Sequence, residues 1–189
     1  MKSALLRRPV IGWALYDWAN SAFATTVMAG FFPVFFKQYW SVGTEASVST
    51  FRLGVLSGLG SFVIALAAPL LGAMADRGGA RVRMLAYFTI IGAAATAALY
   101  WVGQGEWVAA ALVYTLAGIG FWGGIIFNDS LLVDVADPPD YDVASAFGYS
   151  LGYIGGGLLL LLNVAMATNP AAFGLADATA AVRLAFPLV

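Results

Sequence analysis

Long apolar blocks separated by short polar breaks set out the plan of this chain. A helix needs about 20 mainly apolar residues to cross a bilayer. Five blocks meet that length and predict membrane helices over about residues 10–36, 53–75, 84–102, 107–133 and 143–167. Lys37 closes the first block, and the charged run 76–83 closes the second. Gly103-Gln104-Gly105-Glu106 closes the third, and an acidic, Pro-containing segment, 134–142, closes the fourth. A small-residue loop over 168–180 follows the fifth, with Asn169-Pro170 as its turn signal. The last apolar run, 181–189, is too short to span and reads as a sixth helix cut off near its start. The pattern predicts an all-α, polytopic membrane helical bundle, with a single transmembrane domain over 1–189.

The first block follows Lys2, Arg7 and Arg8, as the apolar core of a signal peptide would. It is too long for one, holds Asp17 and Asn20, and lacks a clear small-residue cleavage site. It is read as an uncleaved membrane helix.

Composition narrows the classes. Of 189 residues, 61% are hydrophobic and 10% are charged, where soluble domains carry about a quarter charged residues. An ordinary soluble enzyme and a disordered chain are both excluded. The chain has no Cys and no His. Disulfides and Cys/His metal sites are therefore impossible, and neither a metal nor a cofactor is expected. A proton-linked step would fall to a carboxylate, because no imidazole exists to carry it. The net charge of −1 gives no pull toward nucleic acid.

Basic residues set the expected orientation. Lys2, Arg7, Arg8, Arg77, Arg81 and Arg83 fall on one side of the predicted spans, and Lys37 and Arg52 on the other. The excess predicts a cytoplasmic N-terminus. The loop between the fourth and fifth helices then also lies inside, although it carries only acids.

Three polar groups interrupt the apolar pattern. The first is Tyr16-Asp17-Trp18-Ala19-Asn20-Ser21-Ala22-Phe23. Asp17 lies about 10 Å into the helix, at about 1.5 Å per residue. A carboxylate at that depth is expensive, and Asn20, three residues on, shares its face. The pair must face a protein interior or a wet cavity, as a functional site or as a polar clamp. The second is Phe127-Asn128-Asp129-Ser130, near the end of the fourth helix. Asn128 and Asp129 fall at a depth similar to Asp17, although Asp129 is also placed to cap or to reach the surface. The third is the loop 72–83, whose bland reading is a tight basic turn that fixes topology. Small-residue spacings, Gly54-x-x-x-Gly58, Gly120-x-x-x-Gly124 and Gly148-x-x-x-Gly152-x-x-x-Gly156, predict helix-packing surfaces. Asn163 reads as a helix–helix hydrogen bond, and Trp13, Trp18, Trp40, Trp101 and Trp107 as interfacial anchors.

The order Gly72-x-x-x-Asp76-Arg77-x-Gly79-x-Arg81-x-Arg83 resembles the signature loop of the major facilitator superfamily between its second and third helices, with Val82 splitting the last basic pair. With YDWANSAF at 16–23, FNDSLLVDVA at 127–136 and SAFGYSLGYIGGGLLLLLN at 145–163, the chain is similar to the vacuole-effluxer-like branch of that superfamily. The resemblance implies the N-terminal six-helix half of a major facilitator fold, truncated at the start of the sixth helix. It implies a secondary transporter in the bacterial inner membrane, moving a small solute, amino acids by analogy, with a coupled proton or ion. A missing C-terminal half, or self-association, would supply the second bundle. Asp17, Asn20, Asn128 and Asp129 would contact substrate. Gly72, Asp76, Arg77, Gly79, Arg81, Arg83 and Asp134 would gate, with Asp134 or Asp137 as the partner of Arg77. The superfamily's fourth-helix Arg is missing, since no Lys or Arg occurs between Arg83 and Arg183. The rival readings are an intramembrane enzyme using Asp17 and Asp129 as an acid pair, and a membrane module that does not transport.

Overall fold

Backbone groups that enter hydrocarbon must pair inside the protein, and a helix pairs them within its own segment. The chain forms α1 (Arg8–Trp40), α2 (Ala46–Asp76), α3 (Arg81–Trp101), α4 (Trp107–Val135), α5 (Tyr141–Thr168) and α6 (Ala178–Leu188). The computed structural model describes residues 5–76 and 79–189, with Asp76 by its backbone alone. Five of these helices are long and apolar enough to cross a membrane. The all-α polytopic bundle of the sequence reading is thus what forms. The sixth helix, at 11 residues, does not reach membrane length.

Helix ends depart from the apolar blocks where polar residues can still be helical. Helix α2 begins at Ala46, seven residues before the apolar block, through Ser47, Thr50 and Arg52. Hydropathy marks the hydrocarbon edge and not the helix end. Helix α6 begins at Ala178 because the Asp177 carboxylate accepts the Ala180 N–H at 2.8 Å, which caps the first turn. Helix α1 contains π-helical stretches at Phe23–Phe31 and Phe36–Trp40.

Helix α1 packs on α5, α3 packs on α4, α2 lies against α4, and α6 sits between α5 and α3. Glycines decide the close pairs. A Cβ on Gly152 would stand 2.6 Å from the Ser21 hydroxyl, and one on Gly156 would stand 2.9 Å from the Ser21 carbonyl. Gly155 gives the same room to the Trp18 ring. Across this seam the Thr25 hydroxyl donates to the Gly156 carbonyl at 3.1 Å. Between α3 and α4, Gly120 lies against the backbone of Gly92, and between α4 and α1, Gly124 makes room for the Tyr16 hydroxyl. Gly54 and Gly58 are exposed and have nothing within 4 Å of an added Cβ, so their spacing meets no partner among the described residues.

At the end of α1 distant from Arg8, Phe32, Phe36, Trp40 and Phe186 are fully buried, and Tyr114 stacks on Phe32 with ring centres 3.7 Å apart. The Trp40 indole donates to the Val102 carbonyl at 3.3 Å. Arg183 donates to the Tyr100 carbonyl at 2.7 and 3.0 Å and lies over its ring, tying α6 to α3. Trp13 and Trp40 are core residues and not the interfacial anchors expected of them, whereas Trp101 is exposed. Asn163 is buried with neither amide atom hydrogen-bonded among the described residues.

Filling the seam should weaken the bundle. Gly152→Leu should lower stability by about 1–3 kcal/mol through overpacking, read as a lower denaturant midpoint in mixed micelles. Gly58→Leu should stay within about 0.5 kcal/mol of the parent chain. Equal losses in the two variants would contradict the packing described.

Candidate functional site

Residues three and four apart on a helix share a face, and that spacing turns Asp17, Asn20 and Ser21 of α1 toward one cavity. Asp129 of α4 and Ser145 and Tyr149 of α5 complete its polar lining. The cavity measures about 260 Å³, far more than one water requires. Trp13 and Phe121 add apolar wall. Asp17 is partly buried and Asp129 is exposed. Gly148 lets α5 approach this corner, since a Cβ there would stand 2.5 Å from the Trp13 ring and 3.2 Å from the Asp17 carboxylate.

Asn20 separates this cavity from a smaller, mostly apolar one of about 110 Å³ between α1, α3 and α4. The Tyr16 hydroxyl donates to the Asn20 amide oxygen at 3.4 Å, a long contact within α1. Asn128 does not join the larger cavity. It is 2% exposed, and it lines a crevice with Pro9, Val82 and Leu85. It is next to Asp129 on the helix, and adjacent residues point to different sides. Its carbonyl accepts the Trp13 indole N–H at 2.7 Å, which pins one cavity wall. Of the four substrate contacts read from the sequence, Asp17, Asn20 and Asp129 come together and Asn128 stands behind Trp13. Sequence reasoning missed Ser145 and Tyr149. Their four-residue spacing on a helix rich in Gly and Leu was the available signal.

The loop residues gather at the end where α1 starts and α4 finishes. Arg81 pairs with Asp134 at 2.6 Å and also donates through Nε to the Ala75 carbonyl at 2.6 Å. Arg7 pairs with Asp137 at 2.8 Å, a contact not read from the sequence because 130 positions separate the partners. Thus the acids assigned to Arg77 are held by Arg81 and Arg7 among the described residues. Arg77 itself lies outside the described residues, and the side chain of Asp76 is not described. Gly79 has φ +20°, and neither it nor Gly72 has a neighbour within 4 Å of an added Cβ. Arg83 is exposed. Among the described residues, no group of three Asp, Glu, His or Cys side chains is placed to hold a metal ion.

The family model described as vacuole effluxer Atg22 like matches residues 41–141. The chain is 37% identical over 155 residues to the uncharacterized MFS-type transporter YxiO of Bacillus subtilis (strain 168), covering 82% of this chain and 36% of that protein. It is 26% identical over 166 residues to an uncharacterized protein of Aquifex aeolicus (strain VF5), covering 85% of this chain and 40% of that one. The chain therefore spans well under half the length of these curated relatives. No solved structure matches it. With its membrane helices and the identity along most of its length, the chain belongs to the vacuole effluxer Atg22-like family of the major facilitator superfamily.

Proposed function

We propose that this chain forms one bundle of a secondary transporter that moves a small solute by alternating access. The observation that carries this reading is the cavity bounded by α1, α4 and α5, where Asp17, Asn20 and Asp129 open on one space. In this reading those side chains contact the solute, and Asn128 acts by holding Trp13. A small polar solute, an amino acid by analogy with the effluxer family, fits a lining that mixes carboxylates, an amide and hydroxyls. Asp17 is the group offered for a coupled proton or ion. A second bundle, from the further length that the relatives possess or from a second copy, closes the cavity from the other side. The basic excess supports a cytoplasmic N-terminus in a bacterial inner membrane.

Gating in this reading belongs to the loop 72–83 and the end of α4. Arg81 ties Asp134 to the end of α2 through its second bond to Ala75. Asp76 and Arg77 are assigned to the same gate from the sequence, and Gly72 at the end of α2, Gly79 between the helices and Arg83 at the start of α3 flank that tie. Breaking it frees α4 from α2 on the side where Asp129 opens. Arg7 and Asp137 add a second, more exposed tie, at 49% and 68% side-chain exposure against 16% and 52% for the first.

Two measurements test this. In proteoliposomes holding this chain with the remaining length of a relative, Asp17→Asn should abolish exchange of labelled amino acids while leaving membrane insertion intact. Exchange at the parent rate would sink the role of Asp17. The chain has no cysteine, so Ser145→Cys reports access to the cavity directly. Adding Asp134→Asn should raise its labelling rate from the Arg8 side about two- to fivefold, the equivalent of ~0.5–1 kcal/mol. The gain should shrink in high salt. Unchanged labelling would remove Asp134 from the gate.

A further inference from the structure

Tyr16 borders the apolar cavity of about 110 Å³ and does not line the larger one, whereas Asn20 lines both. The two residues are four apart and share a face of α1. The Tyr16 hydroxyl donates to the Asn20 amide oxygen and so holds that oxygen on the side of the smaller cavity.

Helix α4 supplies the seat for that hydroxyl. A Cβ on Gly124 would overlap the hydroxyl and stand 3.4 Å from the ring carbon that bears it. The ring alone would therefore fit beside alanine at 124, and the hydroxyl is what needs the glycine. A phenol packed by its ring takes a hydrogen-bond partner for its O–H, and here the partner is Asn20.

A carboxamide is planar, with an acceptor oxygen on one edge and a donor N–H2 on the other. Holding the oxygen on the Tyr16 side turns the N–H2 edge toward the larger cavity. The carboxylates of Asp17 and Asp129 only accept when ionised, and the hydroxyls of Ser21, Ser145 and Tyr149 both donate and accept. Asn20 then gives this lining a group that donates without accepting.

We propose that Tyr16 is a positioning residue of the larger cavity, its hydroxyl seated at Gly124 and holding the Asn20 amide with the donor edge toward the solute. The solute meets Asn20 through an acceptor oxygen. The proposal rests on the transport-site reading and adds the pair of residues that orients one of its contacts. It uses contacts made within α1 and between α1 and α4.

The test is run in proteoliposomes holding this chain with the remaining length of a relative, and it reads exchange of labelled amino acids beside the denaturant midpoint. Tyr16→Phe should raise the half-saturating concentration about three- to tenfold, the scale of one lost hydrogen bond, and leave the maximal rate in place. Asn20→Ala should raise it at least as far, and adding Tyr16→Phe to Asn20→Ala should change nothing more. A further loss in that double variant would show Tyr16 acting on its own and would overturn the proposal, as would parent kinetics in Tyr16→Phe. Asn20→Asp keeps an acceptor for Tyr16 and replaces the donor edge by a second acceptor. It should weaken the solute as much as Asn20→Ala does, and parent affinity would show the oxygen edge facing the solute. Gly124→Ala should lower the denaturant midpoint by itself, and Tyr16→Phe should restore it, because the ring carbon at 3.4 Å is in ordinary contact. If Asn20→Ala does not insert, Asn20→Asp and this pair decide. Equal midpoints for Gly124→Ala with and without the hydroxyl would remove the seat and the proposal with it, and the transport-site reading would stand. If Asp17→Asn exchanges solute at the parent rate, the transport-site reading falls and takes the positioning role with it, whatever the Gly124 pair shows.

Discussion

Hydrocarbon removes the usual reason for helices to associate. Lipid tails are as apolar as leucine, so two membrane helices stay together through close packing and buried polar contacts. This chain meets that constraint chiefly along one seam, where α5 turns Gly148, Gly152, Gly155 and Gly156 toward α1. Without side chains there, Trp13, Ser21 and Thr25 reach the α5 backbone, and a hydroxyl finds a carbonyl across the gap. The same approach holds Asp17 at a fixed corner of the cavity. The site is therefore a by-product of the packing, and its width is set by the residues that are smallest.

The two ends of the bundle are held by different physics. Around Phe32, Trp40 and Phe186, with half-buried Tyr114 stacked on Phe32, the helices interlock through rings, which keep their contacts whatever the ionic strength. At the Arg8 end a smaller apolar cluster of Val10, Ala136 and Ala144 is joined by ion pairs with at least one exposed partner, and such pairs are individually weak and screened by salt. A large ring cluster at one end, against a small apolar cluster with reversible ion pairs at the other, suits a bundle whose cavity lies toward the more weakly tied end.

The fold was largely legible because bilayer thickness imposes a length on every span, and that length shows in the sequence as apolar blocks. Helix ends were less legible, as at Ala46 and Ala178, because hydropathy reports the solvent boundary and not the hydrogen-bond ladder. The glycine seam of α5 could be read from spacing. Gly54 and Gly58 have the same spacing and no partner, since a motif gives a surface its shape and does not say what lies opposite. Asp17, Asn20 and Asp129 were legible as the polar groups that hydrocarbon would not tolerate. Asn128 was misplaced by its neighbour, because adjacent residues on a helix point apart. The pairing of Arg81 with Asp134 and of Arg7 with Asp137 was hidden: charge says that a partner is needed, and only the chain path says which one.

The π-helical stretch in α1 has a consequence for anyone scanning this helix residue by residue. A helical wheel advances about 100° per residue, and that rule holds phase only where the ladder is α-helical. In α1 the α-helical ladder gives way at Ala22, within the stretch that lines the cavity, which runs on to Ala24. Substitutions from Phe23 onward that are sorted into faces on a standard wheel will be assigned to the wrong neighbours, and a lipid-facing position will be mistaken for a lining one.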